Sequence, residues 1–415
     1  MRMKFNKSSQ LVLVGAASLL AASLVTACSQ LTQTLTVDFV YVATAKAAGA
    51  DNYGEINVYE INSESGKMRQ IPTSPFPSQG RDPVAEAVSA DYGSLFVVNK
   101  DDNTIVQFGI GTDGKLYPYD TVNTPGIFPL AIATNKSSLF VVDLYQPLPI
   151  CSPAEPCSGS IGVFPLTAGS SSKPVIIGTP ATNAAVNGQY WPLTLGGVNA
   201  SHVIVPTGVN VLASGADVYV TAYDSSVVPN VGYVYGFSVG SGGVLTSLSG
   251  SPFAAGVKPS AIASDATSTY VYVTDFSSGN VRGYTVNAGN LTPLAGSPFP
   301  AGNQPTAIVV DPSYAYAYVA NSQDSNVTGY SISSGKLTRI GTYTTGLQPV
   351  AIGIDPSTEH FLYTVNFLDN TVSGFELSTT NGTLLDSQNS PFLSNDQPTA
   401  VAAIPHNGTG GGIQP

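Results

Sequence analysis

The sequence predicts an all-β chain wound into a ring of like sheets, and three observations carry that expectation. A short strand led by Tyr or Phe recurs seven times, at Tyr41, Phe96, Phe140, Tyr219, Tyr272, Tyr318 and Tyr363. These starts lie 44 to 55 residues apart with one longer interval, the period of a solenoid or a propeller. An apolar strand opened by proline precedes every copy but the first, at Pro83, Pro129, Pro206, Pro259, Pro305 and Pro349, and a seventh such strand begins at Pro398. Only 10% of the 415 residues are charged, which leaves too little polar surface for amphipathic helices. The abundant Gly, Pro, Tyr and Val suit short strands with tight turns.

Taken in order, the chain opens with Arg2, Lys4 and Lys7 ahead of an apolar run from Leu11 to Leu24. Residues 1–27 thus read as an export signal, too short for a permanent span of about 20 apolar residues. The run ends in Val25-Thr26-Ala27-Cys28, which resembles a bacterial lipobox. The resemblance implies a lipid on Cys28, membrane attachment and a place in the cell envelope outside the cytoplasm; a plain signal with an incidental Cys28 is the alternative. Residues 28–36 are then a tether, residues 37–407 the ring, and residues 408–415 a disordered tail.

After each Tyr- or Phe-led strand comes a third strand, as at residues 280–286, 326–332 and 370–377, then a Gly turn and a weaker fourth. The fourth often ends in Ser-Pro-Phe, as at Ser74 to Phe76, Ser251 to Phe253, Ser297 to Phe299 and Ser390 to Phe392. Strands such as Ala307-Ile-Val-Val310 are apolar on both faces, which radial packing between neighbouring sheets explains. The first unit lacks an opening strand and the last residues supply one. Ring closure therefore predicts that residues 398–404 form the innermost strand of the blade built from residues 37–43, 55–61 and 68–74. Seven four-stranded blades result.

Over residues 37–404 these repeats resemble the YVTN β-propeller family and the related seven-bladed lactonase family, which includes 6-phosphogluconolactonase-like proteins. The resemblance implies the propeller fold and, for some members, lactone hydrolysis. Members of the phosphogluconolactonase type tend to carry His-Pro-His where innermost strands begin. Here the matching residues are Gln-Pro-Thr at Gln304, Gln-Pro-Val at Gln348 and Lys-Pro-Ser at Lys258.

Blade topology sends the residue before each proline to one mouth of the axial channel, together with the loops between second and third strands. Asp82, Phe128, Val205, Lys258, Gln304, Gln348 and Gln397 form the rim, with Arg81, Asn303 and Asp396 one position earlier. Amides, a few opposite charges and one Phe suit a small polar ligand; a hydrated channel entrance is the plainer account. Glu86 is a carboxylate inside an innermost strand, where burial would raise its pKa and fit it for acid or base work. Four longer loops, residues 45–53, 145–160, 178–201 and 224–231, build up one side of this face, the third carrying Trp191.

Other classes have little material. A formal net charge of −11 disfavours nucleic acid. His202, His360 and His406 are isolated in sequence, so a histidine metal centre or a nucleophile and base pair is not expected. Asp265, Asp311 and Asp355 read as turn residues. No cofactor is expected, although the resemblance to calcium-dependent lactonase propellers implies Glu, Asp and Asn ligands converging on the axis, to which Glu86 and Asn303 could contribute. Cys151 and Cys157 form an even pair in a Pro-rich loop and read as a disulfide outside the reducing cytoplasm, with two free thiols the alternative.

The first reading is therefore a lipid-anchored, monomeric ring that binds a small polar ligand or a protein partner through Arg81, Phe128, Lys258, Asn303, Gln304, Gln348 and Gln397, without chemistry. The alternative is a lactonase-like hydrolase acting on an unphosphorylated lactone, with Glu86 and Asp82 as acid or base and Arg81 or Lys258 polarising the carbonyl. A purely structural envelope protein is the third.

Overall fold

A computed structural model describes residues 37–62, 64–170, 174–356 and 361–405. Cys28 and the proposed leader, His360, His406 and the tail after residue 405 lie outside them. Among the described residues there are seven antiparallel sheets, numbered here as blades 1 to 7 from the first sheet in the chain. In blade 6 the four strands are Pro305–Val310, Tyr316–Asn321, Asn326–Ser333 and Lys336–Thr344, in spatial order. In five other blades the fourth strand is split. Its second piece, such as Phe76–Pro77 in blade 1 or Phe299–Pro300 in blade 5, returns to the start of the third strand.

Closure follows the expected scheme. Pro398–Ile404 pairs antiparallel with Val37–Ala48, matching Phe39 to Ile404 and Ala43 to Ala400. Each innermost strand touches that of the next blade, and the last of the series touches the first. Second strands are buried along most of their length, and Ser94–Asn99 and Phe361–Asn366 throughout. That explains why they carry no polar alternation. Seven apolar clusters fill the seven seams between blades, each joining side chains of two neighbours.

Two devices repeat around the ring. Pairing slips by one residue just after the opening proline of all seven innermost strands, for example between Pro305 and Ala307. A bulge re-aims the extra residue. In blades 5, 6 and 1 that residue is Ser260, Thr306 or Thr399, whose hydroxyl donates to the proline carbonyl of the next blade: Pro305 at 2.6 Å, Pro349 at 2.9 Å and Pro83 at 2.7 Å. The second device belongs to the tyrosines. Tyr41, Tyr219, Tyr272 and Tyr318 each donate through the buried hydroxyl to a glycine carbonyl in a turn of the next blade, namely Gly114, Gly289, Gly335 and Gly382. All four glycines have positive φ, a conformation that costs glycine little.

Candidate functional site

The mouth of the ring takes shape from the residue before each proline. Asp82, Phe128, Gln304, Gln348 and Gln397 all have φ between +52° and +60°, unusual for side chains of these types. Hydrogen bonds hold them there. Their carbonyls accept an amide from the end of their own blade's second strand or just beyond it, as from Lys100 to Asp82, Ser322 to Gln304, Phe367 to Gln348 and Ala45 to Gln397. Their own amides, or those one residue earlier, donate to side chains of the loop between second and third strands. Phe128 meets Asn103 at 2.6 Å, Gln397 meets Asn370 at 2.9 Å, and Asn303 meets Asp324 at 2.7 Å. These loops and the rim therefore share one face, as the topology predicts.

Most charges on the rim are spent locally. Asp82 pairs with Lys100 at 3.0 Å, Arg81 donates to Asp102 at 2.7 Å, and Asn303 reaches Asp324. The Arg81 guanidinium holds Asp102 below the usual carboxylate range, against the opposing pull of desolvation. Lys258 rests its ammonium over the rings of Tyr223 and Phe276, at 5.1 and 5.2 Å. Phe128 packs edge-on to Tyr145. Arg81, Asp82 and Lys258 thus answer to three separate sets of neighbours.

Glu86 lies deeper. Ile132, Val209, Ile262, Ile308, Ile352 and Val401 fill its place in the other blades. Part of its side chain keeps some exposure, yet both carboxylate oxygens are sealed from solvent and lack a hydrogen-bond partner. Burial pushes its pKa well up, and the Ala402 backbone amide, near the carboxylate but outside hydrogen-bond geometry, does not offset this. The surrounding influences, Ala402 and Tyr41, both belong to blade 1. Glu86 therefore sits in the seam beside the closing strand, while Asp82 is engaged with Lys100.

A histidine dyad emerges that sequence reasoning missed. His202 Nδ1 lies 2.6 Å from Asp224 Oδ2, with the His side chain 24% exposed and the Asp side chain 3% exposed. Asp224 ends the second strand of blade 4, Asp217–Asp224, and His202 leads into its innermost strand, Ile204–Val211. Ser158 of blade 3 clamps the segment by donating to the His202 carbonyl and accepting from the Ile204 amide. The loop above is fixed by the Cys151–Cys157 disulfide, whose Cα atoms are 5.4 Å apart. The expectation that His202 is isolated is corrected: a separation of 22 residues in sequence closes to hydrogen-bond contact because both flank the same hairpin.

Trp191 needs a second correction. It does not line the mouth. Trp191–Pro192 pairs with the start of the third strand of blade 3, where Ser-Pro-Phe stands in other blades, and the indole donates to the Leu245 carbonyl of blade 4 at 2.9 Å. Its apolar bulk fills the seam between blades 3 and 4. Among the described residues, no group of three or more His, Cys, Asp or Glu side chains is placed to hold a metal.

A family model described as a seven-bladed lactonase β-propeller matches residues 288–403. By fold, this chain is a seven-bladed β-propeller. Solved structures similar to it include a Bacteroides fragilis protein provisionally named a 6-phosphogluconolactonase, at 18% identity with a TM-score of 0.68, covering 90% of this chain and 99% of that one. The Pseudomonas aeruginosa periplasmic gluconolactonase is 16% identical with a TM-score of 0.67, covering 89% and 99%. A Lactobacillus plantarum protein is 15% identical with a TM-score of 0.66, covering 88% and 99%. At such identities the likeness is one of fold. No curated protein matches this chain in sequence.

Proposed function

We propose that this propeller hydrolyses an unphosphorylated lactone at its looped face, with His202 as the base and Asp224 as its orienting partner. The dyad is the observation that carries the reading. A buried carboxylate on Nδ1 fixes the tautomer and leaves Nε2 as the ring nitrogen that would take a proton from water. Hydroxide equivalent then adds to the lactone carbonyl, the ring C–O bond breaks, and the proton returns to the departing alkoxide, giving an open-chain hydroxy acid. The scarcity of free basic side chains on the rim argues against a phosphorylated substrate. The lactonase-like fold supports this reading over ligand binding alone.

The test is turnover of glucono-δ-lactone and a panel of aliphatic and aromatic lactones, followed by acid release. His202→Asn is expected to lower kcat by about 100-fold or more, with Glu86→Gln close to wild type. Wild-type turnover in the His202 variant would remove the dyad from the mechanism. A protein inactive on every lactone would return the ring to a binding role.

We also propose that Cys28 carries lipid and holds the ring at a membrane outside the cytoplasm. The leader pattern and the disulfide support this. Residues 28–36 reach at most about 30 Å, so the ring would stay close to the bilayer. Cys28→Ser is expected to move the protein from the membrane fraction to the soluble one; retention on membranes would refute the anchor.

A further inference from the structure

Blade 1 departs from the other blades where its second and third strands meet. Pairing there runs from Thr44 opposite Glu55 to Ala48 opposite Tyr53, so residues 45–47 bulge out of the ladder on the looped face. Lys46 stands on this bulge and forms an ion pair with Asp396, one residue before the rim position Gln397. Cavities open on both sides of the pair. One, of about 340 Å³, is bounded by Glu55 and Asn395; the other, of about 290 Å³, by Phe367, Leu368 and Asn370. Both include Lys46 and Asp396, so they are two halves of one cleft bridged by a side-chain pair.

We propose that this cleft binds a neutral carbohydrate, one sugar ring in each half. Each cavity is near the lower end of small-ligand sites, about 300 Å³, which suits a single ring. The polar groups match hydroxyls in both senses: the carboxylates of Asp396 and Glu55 accept, while the Lys46 ammonium and the amides of Asn370 and Asn395 donate. These groups are held in place before any ligand arrives. Asn370 donates to Asp396 at 3.1 Å, Asn395 donates to Glu55, and the Gln397 amide fixes Asn370 from the other side. Leu368, 62% exposed, and the adjoining Phe367 supply an apolar ledge for the C–H face of a sugar. Two carboxylates against one ammonium leave the cleft with a net negative charge, which selects against sugar acids and sugar phosphates.

This site stands apart from the His202–Asp224 dyad and does not depend on lactone hydrolysis. The test is saturation-transfer NMR of the native protein with maltose, cellobiose, lactose and N,N′-diacetylchitobiose at millimolar concentration. At least one disaccharide is expected to bind. Lys46→Ala and Asp396→Ala, both checked for an unchanged melting temperature, are expected to weaken binding tenfold or more. His202→Asn is expected to bind as wild type does, which separates this result from the fate of the hydrolase reading. Gluconate is expected not to compete. No binding by any disaccharide, or undiminished binding in both cleft variants, overturns the proposal; equal competition by gluconate overturns the preference for neutral ligands.

Discussion

Glu86 and Asp143 show how a single carboxylate can set the pH response of a protein whose charges are few. Both are pressed into apolar surroundings, Asp143 with its pKa raised to about 7 despite a hydrogen bond from the Gly126 amide, Glu86 with its pKa raised well above 4.5. A carboxylate with a raised folded-state pKa holds its proton more tightly in the native state than in the unfolded one. Its penalty is absent at low pH and grows once the unfolded chain begins to ionise. Stability is therefore lost between about pH 3.8 and about pH 7 on account of Asp143, and from about pH 4.5 upward through the raised value on account of Glu86. Glu86→Gln is expected to flatten its share of the slope, and Asp143→Asn the share that ends near neutrality. Melting temperatures from pH 4 to 9 read this directly. A wild-type slope that both variants leave untouched would mean that neither carboxylate is neutral in the fold.

Blade strands are joined by tyrosine hydroxyls, and the joints are unequal. Tyr318 donates to the Gly382 carbonyl at 2.8 Å, whereas the hydroxyl of Tyr363 at the matching place in blade 7 is buried without a partner. Phe96 and Phe140 have no hydroxyl to offer there. Tyr318→Phe is expected to cost about 1 kcal/mol, since it removes a bond and strands a carbonyl, while Tyr363→Phe should be neutral or slightly stabilising. Chemical denaturation of the two variants decides the matter, and equal losses would contradict the assignment. Much of this architecture was legible: the proline-led and Tyr- or Phe-led strands announce themselves by spacing, and Glu86 stands out against Ile and Val at its position. The slip after each proline was not, because one extra residue leaves no mark on an apolar pattern. Nor were the contacts that shape the face. Lys46 and Asp396 are 350 residues apart in sequence and meet only because the ring closes, and His202 finds Asp224 across a hairpin whose loops share no recognisable motif.

As a whole the molecule is held by a circle of equivalent seams, and its weakest dependence is on the final strand. Pro398–Ile404 supplies the inner edge of blade 1, and Thr399 also bonds to Pro83 of blade 2. Deleting residues 397–415 is expected to lower the melting temperature by on the order of 10 °C or more, measured by circular dichroism; a truncated chain that melts like the parent would show that blade 1 stands without its closing strand. The order of synthesis gives this dependence a further meaning. Blades 2 to 7 can each be finished as their own residues leave the ribosome, but Val37–Ala48 waits with a bare flank until the last strand has been made. For most of its production the nascent chain carries a template open to a strand from any neighbour, so crowding of unfinished copies, more than any fault in a finished ring, is where this protein is exposed to tangling.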